Sequence, residues 1–376
     1  MKNDQKRIAI LTYGKDKPLG NFSKGYIEDL PYKKIVLFGG IVPFLVLGTP
    51  KWKQKLIRYT ITLYAFNNQR KIDKLIEKRL DYLLRKYKID CGLAEFLNTG
   101  ASVFEIFKKN NIPLVSNVLG YEINDDRFFK KFKNKYEKLS SYQSFTVPVA
   151  KDMIPKLINL GFKEDSIVYS PIGPSNVFLD IIPNYKSNQF VFIGRMTETK
   201  SPLNLIRAFK IVVDQFKDAK LIMAGDGELM KEVKELIEKL DLYDNVKLPG
   251  WITKEQQLYY YKESFCYVQH SVVSSTGDKE GTPVSILEAS GAGLPVVSTY
   301  HAGIPDVIFN NESGFLVQEN DIVGMGNYML KLYKDRNLAR KFGETGKTIV
   351  TNEFSLKKHL FIVESLINKA INNQPS

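Results

Sequence analysis

Two glutamates that lie eight residues apart, Glu280 and Glu288, mark the segment of this sequence best suited to chemistry. Thr282 is a favourable N-cap and Pro283 a favourable first helical residue, so a helix is predicted to begin here and to end near Gly291. Glu280 then lies in the loop before the helix, and Glu288 lies near its middle. The unpaired N–H groups and the dipole at the helix N-terminus would attract a phosphate.

A carboxylate on each side of a phosphate site matches the shape of a nucleotide sugar. One glutamate would accept hydrogen bonds from the hydroxyls of a sugar and the other from those of a ribose, with the diphosphate between them. A buried amphipathic helix with an ordinary capped start explains the same residues equally well when the segment is taken alone. The choice between these interpretations therefore depends on the rest of the chain.

Strands alternate with helices along the sequence, which is the pattern of α/β proteins with parallel, doubly wound sheets. The pattern restarts after the polar, turn-rich segment 181–189, so we predict two Rossmann-like domains that face each other across a cleft. The predicted bounds are 1–182 for the N-terminal domain and 183–355 for the C-terminal domain. Residues 356–376 are predicted to form a helix that packs back toward the N-terminal domain.

Several segments follow predicted strands, at the edge where such sheets bind ligands. Arg195 follows one strand directly and Lys200 lies five residues later, so the two cations would hold a diphosphate. Solvated surface cations are the alternative. The turn Gly250-Trp251 follows another strand and would present backbone groups to a nucleobase. Gly20 lies in the glycine-bearing loop after the first strand, where backbone often approaches a ligand.

The composition is that of a globular protein, with 44% hydrophobic and 25% charged residues. The two cysteines and three histidines are scattered, which indicates neither a disulfide framework nor a metal site. The N-terminus lacks the apolar segment of a signal peptide, so a cytoplasmic location is expected.

The net charge of +13 resides entirely in the first half of the chain. Residues 1–180 contain 31 Lys and Arg against 18 Asp and Glu, whereas residues 181–376 contain 23 of each. A basic half predicts an anionic partner, which is a membrane surface, a lipid-linked phosphate or a nucleic acid. A solvated basic surface without a partner is the alternative.

Two segments of the basic half have the composition of membrane-surface elements. The uncharged run 35–48 lies between lysines, is too short to span a bilayer and is interrupted by Pro43. It is either a segment that dips into a membrane interface or a core strand followed by a hydrophobic loop. The predicted helix 128–139 interleaves lysines with aromatic residues, and a plain amphipathic helix is the alternative there.

The second half also resembles a known family. FIGRMTETKSPLNLIRAF, MAGDGEL, VKLPGW and GDKEGTPVSILEASGAGLPVVSTYHAGIPDVI, in this order and spacing, resemble the donor-binding half of the family 4 retaining glycosyltransferases. The resemblance covers residues 188–355 and is strongest to enzymes of exopolysaccharide, capsule and lipopolysaccharide synthesis. It implies the GT-B fold, with acceptor-binding over 1–182 and donor-binding over 183–355. The implied activity is transfer of a hexose from a UDP- or GDP-sugar to a glycan or lipid-linked glycan, with retention of configuration.

The resemblance implies roles for individual residues as well. Arg195 and Lys200 would neutralise the nucleotide diphosphate and Glu280 would contact the donor sugar, which makes these three the expected catalytic residues. Glu288 would bind the ribose hydroxyls. The rest of the expected donor site is a glycine of the first domain, a backbone turn and the residues at the helix start: Gly20, Gly250, Trp251, Gly281, Thr282, Pro283, Val284 and Ser285.

The chain contains no Asp-x-Asp pair, which fits a metal-independent site where fixed cations and a helix dipole replace a divalent ion. No metal and no cofactor are expected besides the donor substrate. The sequence departs from the family at Leu119-Gly120, where many relatives have a His-Gly pair near the donor sugar. Asn117 and Glu122 are the candidates to replace that histidine.

The expected partners are thus a nucleotide-sugar donor, a glycan acceptor and an anionic membrane surface, with the protein peripheral at the inner face of the plasma membrane. Three rival functions stay open. They are a nucleotide-sugar epimerase of GT-B fold, a non-catalytic nucleotide-sugar-binding protein and a nucleic-acid-binding protein. No recognised nucleic-acid motif accompanies the basic charge, so no nucleic-acid partner is expected.

Overall fold

Two six-stranded sheets form the frame of the molecule. The computed structural model describes residues 5–16, 20–66, 68–142 and 144–373. Apolar clusters lie on both faces of each sheet, between the strands and the flanking helices. Burial on both faces explains why the strands are nearly continuous apolar runs.

The N-terminal sheet has the strand order β3-β2-β1-β4-β5-β6. Neighbouring strands are parallel except for β2 and β3, which pair in antiparallel fashion. The elements of this part are β1 (Arg7–Leu11), α1 (Gly20–Asp29), β2 (Lys33–Phe38), β3 (Leu45–Val46), α2 (Lys51–Ala65), α3 (Gln69–Tyr87), β4 (Cys91–Ala94), α4 (Leu97–Lys109), β5 (Leu114–Val118), α5 (Tyr121–Asn124), α6 (Asp126–Ser140), β6 (Phe145–Pro148), α7 (Ile154–Asn159) and α8 (Asn176–Leu179).

The C-terminal sheet is parallel throughout and has the order β12-β11-β10-β7-β8-β9. Its elements, with the helices that complete the chain, are β7 (Gln189–Ile193), α9 (Pro202–Gln215), β8 (Lys220–Ala224), α10 (Met230–Lys239), β9 (Val246–Gly250), α11 (Lys254–Glu263), β10 (Cys266–Val268), α12 (Val284–Gly291), β11 (Val296–Thr299), α13 (Ile304–Val307), β12 (Gly314–Val317), α14 (Ile322–Lys334), α15 (Arg336–Glu353) and α16 (Leu356–Asn372).

The fold class predicted from the sequence, α/β with two doubly wound sheets, is confirmed. The bounds 1–182, 183–355 and 356–376 stay predictions, and we use the first two as names for the N-terminal and C-terminal domains. Among the described residues, no helix combines the length and the apolar character that a bilayer span requires.

The apolar run 35–48 belongs to the core. Val36, Leu37 and Phe38 are buried in β2, and Phe44 and Leu45 pack against Phe38. The structure therefore favours the second alternative, a core strand followed by a hydrophobic loop. Only its last two residues are exposed, because the chain turns outward there toward α2.

Helix α16 packs on the N-terminal sheet although it follows the C-terminal domain in sequence. Its apolar face joins the same cluster as β1, and His359 of this helix is buried. The Nε2 atom of His359 is 2.6 Å from the Tyr26 hydroxyl, and its Nδ1 atom is 2.8 Å from the Ser170 hydroxyl. Burial lowers the pKa of His359 to about 4.

This buried histidine predicts a loss of stability in mild acid. The unfolded chain binds a proton at His359 below about pH 6.5, whereas the folded protein does so only near pH 4, so the free energy of unfolding falls as the pH decreases through this interval. In His359→Gln the slope of the free energy of unfolding against pH should be smaller by up to about 1.4 kcal/mol per pH unit. Urea unfolding at several pH values measures this slope.

The control for this experiment is Lys357→Gln, which changes an exposed residue of the same helix. We expect Lys357→Gln to keep the wild-type slope. Equal slopes for wild type and His359→Gln would show that His359 does not contribute to the acid sensitivity. The other buried histidine, His270, also has a pKa lowered to about 4, so part of the slope should persist.

Candidate functional site

The start of α12 lies where the two domains meet. The sequence predicts Thr282 as the N-cap, but this is wrong, because the N-cap is Pro283 and no side chain caps the helix. The Thr282 hydroxyl instead donates a hydrogen bond of 2.5 Å to the carbonyl of Val149 in the N-terminal domain. This hydroxyl thus serves to join the domains, and the first N–H groups of α12 receive no side-chain cap.

Backbone approaches backbone beside this hydrogen bond. A Cβ atom on Gly281 would lie 2.4 Å from the carbonyl oxygen of Leu119, and one on Gly120 would lie 3.1 Å from the nitrogen of Gly281. Gly120 has φ +130°, which favours glycine. The loop 119–120 therefore lies directly against the loop that carries Glu280.

Glu280 forms an ion pair with Lys200, whose Nζ lies 2.8 Å from the carboxylate Oε1. Both side chains are largely buried, with 14% and 12% of their surfaces exposed. The N–H of Glu280 donates to Nε2 of His301, and Nδ1 of His301 lies 2.6 Å from the Glu319 carboxylate. These contacts fix the position and the direction of the Glu280 loop.

Arg195 has an exposed side chain and lies near enough to Asp278 for its charge to lower the pKa of that carboxyl, which burial and the charge of Glu280 raise. The structure thus pairs Lys200 with Glu280. That Arg195 joins them in holding a diphosphate stays a prediction.

Glu288 lies on α12 and lines a cleft of about 460 Å³. Its Oε2 accepts a hydrogen bond of 2.6 Å from the amide of Gln257. Burial raises the carboxyl pKa to about 7, while the hydrogen bond from Gln257 and the charge of Lys254 lower it. Both domains line the cleft, with Lys24, Gly25, Glu28, Asp29, Ile172, Gly173, Pro174, Ser175, Phe178, Lys254, Gln257, Val284, Glu288 and Leu356.

The remaining predicted donor-site residues occupy three places. Val284 lines the cleft, and the Ser285 hydroxyl accepts a hydrogen bond from Tyr267 at 2.9 Å. Gly250 ends β9 with φ +71°, and the side chain of Trp251 is 69% exposed. Gly20 is the first residue of α1, whose later residues line the cleft. The role of Gly250 and Trp251 in the donor site stays a prediction.

The two candidates for the missing histidine are held by the N-terminal domain itself. The amide of Asn117 donates to the carbonyl of Ala94, within the core. The carboxylate of Glu122 accepts hydrogen bonds from the N–H groups of Leu119 and Gly120, at 2.9 and 3.0 Å. Burial raises the pKa of Glu122 to about 7, and these N–H groups lower it. Glu122 thus fixes the loop where the histidine would lie.

Sequence reasoning missed Gln257, His301 and Glu319. Gln257 lies 31 residues from its partner Glu288, and its own helix carries no motif that marks it. His301 follows β11, so its place at a strand end is the signal that could have found it. Among the described residues, no three His, Cys, Asp or Glu side chains are grouped so that they could hold a metal ion.

Comparison with known proteins finds a family model that matches the C-terminal half of the chain. Residues 180–349 match the model of the family described as glycosyl transferases group 1. The chain is 30% identical over 216 residues to the amylovoran biosynthesis glycosyltransferase AmsK of Erwinia amylovora. This alignment covers 57% of this chain and 53% of AmsK. It spans about half the length of the first curated relatives that it matches.

A second curated relative matches over most of both chains. It is the capsular polysaccharide biosynthesis glycosyltransferase CapM of Staphylococcus aureus, 26% identical over 355 residues, or 89% of this chain and 79% of CapM. The resemblance to glycosyltransferases of polysaccharide synthesis, stated from the sequence, is therefore confirmed.

The fold has solved counterparts. The crystal structure of Anabaena HepE in complex with UDP and glucose superposes with a TM-score of 0.75 at 15% identity, covering 97% of this chain and all of HepE. At this identity the likeness concerns the fold alone. The GT-B fold expected from the sequence is confirmed.

The close contact at Gly281 predicts that adding one methyl group there would disturb the interface between the domains. In Gly281→Ala the new Cβ would lie 2.4 Å from the Leu119 oxygen and 2.7 Å from a Val149 methyl group, so the loops must separate. We expect faster amide hydrogen exchange at 119–121 and 149–151 than in the wild type, measured by mass spectrometry.

The matched control is Thr282→Ser, which keeps the hydroxyl that bonds to Val149. It should exchange like the wild type at both segments. Unchanged exchange in Gly281→Ala would contradict the tight interdomain contact described above.

Proposed function

We propose, from the match of residues 180–349 to the glycosyl transferases group 1 model, that this protein is a glycosyltransferase of cell-surface polysaccharide synthesis. It would move a hexose from a nucleotide-diphosphate sugar to a glycan acceptor. The observation that carries the proposal is the position of Glu280 and Glu288 on either side of the α12 N-terminus. Glu280 is paired with Lys200, and Glu288 lines the interdomain cleft.

The donor is a UDP- or GDP-sugar in this proposal. The diphosphate would lie at the N-terminus of α12, because the helix offers N–H groups that no side chain caps. The ribose would lie in the cleft against Glu288, and the sugar beside Glu280. Support for a uridine nucleotide comes from HepE, whose structure holds UDP and glucose.

Arg195 and Lys200 would balance the charge that develops on the diphosphate as the glycosidic bond breaks. Fixed charges in a partly buried site stabilise a leaving group without reorganising at the moment of reaction. In this proposal the reaction is metal-independent and retains the anomeric configuration. The donor phosphate would accept the proton of the acceptor hydroxyl on the face from which the leaving group departs.

Lys200 would exchange partners when the donor binds. Its ammonium now lies 2.8 Å from Glu280, and a diphosphate would compete for the same ammonium. Glu280 would then accept hydrogen bonds from the sugar hydroxyls in place of Lys200. Recognition of phosphate and of sugar would therefore be coupled through one ion pair.

The acceptor is proposed to be a glycan or a lipid-linked glycan. We also propose that the basic N-terminal domain sits at the anionic inner face of the plasma membrane, since the whole net charge of +13 lies in residues 1–180. Leu119, where a histidine is expected, is the specific observation that favours the second candidate, a non-catalytic nucleotide-sugar-binding protein.

A screen of UDP- and GDP-sugars tests the proposal directly. We expect saturable binding of one donor by calorimetry in the presence of a chelator, weakened at least about tenfold in Glu288→Ala because the ribose hydroxyls lose their acceptor. Slow release of nucleotide would indicate transfer to water. The matched control is Glu255→Gln, an exposed carboxylate of α11.

The outcomes separate the candidate functions. Binding without any turnover, even with glycan acceptors, would favour the binding protein, and conversion of the donor sugar without an acceptor would favour an epimerase. If no nucleotide sugar binds, or if Glu288→Ala binds as well as the wild type, the proposed donor site is refuted.

Donor affinity should also depend on pH through Glu288. In this proposal the ionised carboxylate would accept hydrogen bonds from both ribose hydroxyls, and its pKa is about 7, so affinity should decrease as the pH falls through 7. Between pH 8 and pH 6 the expected decrease is about tenfold. Glu288→Gln should abolish this part of the dependence. Glu122 has a similar pKa, so only the part lost in Glu288→Gln is assigned to Glu288.

A further inference from the structure

The outer face of α2 exposes a row of large apolar side chains. Trp52, Leu56, Tyr59 and Leu63 follow one another at steps of four and three residues, so they form one stripe along the helix, and Phe66 follows as its C-cap residue. Each is more than half exposed, from 53% for Leu56 to 82% for Phe66. An exposed apolar stripe of this length marks an interaction surface.

The inner face of α2 already has its partners. Ile57 and Ile61 pack against the cluster formed by Phe38, Phe44 and Leu45. At the start of the helix, the Gln54 amide donates to the Thr49 carbonyl at 2.7 Å. The helix is thus seated on the N-terminal domain, and the outer stripe faces away from the chain's own core.

The charges carried by α2 itself have one sign. The helix has Lys51, Lys53, Lys55 and Arg58 and no carboxylate, and Arg58 pairs with the neighbouring Asp16 at 3.7 Å. Residues 51–88, which comprise α2 and α3, contain twelve Lys and Arg against three Asp and Glu, hence +9 of the total +13. The partner of this surface must therefore be both apolar and anionic.

We propose that α2 is a membrane-binding helix that lies flat in the interface of a bilayer containing anionic lipid. The stripe would enter the acyl-chain boundary, and the lysines would meet the headgroup phosphates. Trp52 and Tyr59 are of the residue types that favour this boundary. The helix is about 22 Å long, which suits an orientation parallel to the surface. This proposal rests on the proposed function, and it names α2 as the helix through which the N-terminal domain would contact the membrane.

A second copy of the chain is the competing occupant, because steps of four and three residues also occur in helix–helix seams. Such seams are flanked by residues of both signs, which pair across the interface. Helix α2 offers only cations beside its stripe, so a second α2 would bring no anionic partner for them. Charge complementarity therefore favours the anionic bilayer.

The experiment is co-sedimentation with lipid vesicles, without nucleotide sugar or acceptor. Wild-type protein should bind vesicles in which about a third of the lipid is phosphatidylglycerol, and bind vesicles of phosphatidylcholine at least tenfold more weakly. The double variant L56S/L63S and the triple variant K51Q/K53Q/K55Q should each lose at least about tenfold in binding. Added salt should weaken wild-type binding.

Two matched controls distinguish this surface from general charge and hydrophobicity. I158S/V177S removes two exposed apolar side chains elsewhere in the N-terminal domain, and K130Q/K131Q/K133Q removes three lysines of α6. Both should bind like the wild type. Loss of binding in the α6 variant with retention in the α2 variants would overturn the proposal.

Fluorescence of Trp52 supplies a second measurement. In a Trp251→Phe background Trp52 is the remaining tryptophan, and anionic vesicles should shift its emission to the blue. No shift, or concentration-dependent dimerisation without lipid that L56S/L63S abolishes, would refute the bilayer as the partner. Donor binding is measured separately on the α2 variants and should stay unchanged, so failure of this proposal and failure of the donor site are distinguishable.

Discussion

The hydrogen bond from the Thr282 hydroxyl to the Val149 carbonyl is the contact on which the geometry of the cleft depends. It joins the start of α12 to the N-terminal domain, and the close contact of Gly120 with Gly281 lies beside it. Further polar contacts cross between the parts of the chain, among them those from the Lys151 nitrogen to Asp306 and from the Leu356 nitrogen to the Pro174 carbonyl. Each contributes only about 0.5–1.5 kcal/mol, so these contacts set the distance between the domains without locking it.

The core of the site was predictable from the sequence because its signals are local. Glu280 and Glu288 flank a segment that starts a helix, and the strand alternation places that segment at a strand end. The pairing of Lys200 with Glu280 spans 80 residues and could only be expected from the family resemblance. Thr282 shows the limit of local reasoning. It is a favourable capping residue, but its hydroxyl donates a hydrogen bond to a carbonyl of the other domain and does not cap the helix.

The charge of the N-terminal half illustrates the same limit. Counting residues locates the excess in the first 180 positions, but it does not show which surface carries it. The run 35–48 is conspicuous because its apolar residues are consecutive, and the structure places it in the core. The stripe on α2 is less visible in the sequence because lysines and threonines separate its members. Only the helical geometry, together with burial of the opposite face, brings those side chains into one row.

The ion pair between Lys200 and Glu280 gives a physical reason for a donor site without the family histidine. Both side chains are largely buried, so a carboxylate left there without its cation carries a desolvation cost of about 1–3 kcal/mol or more. A nucleotide diphosphate that attracts Lys200 would impose that cost unless sugar hydroxyls donate to Glu280 at the same time. In the proposed function an intact nucleotide sugar would satisfy both groups, whereas the nucleotide alone would satisfy one. Such a site would favour donor over product by electrostatics, with the Leu119 loop contributing shape and backbone groups.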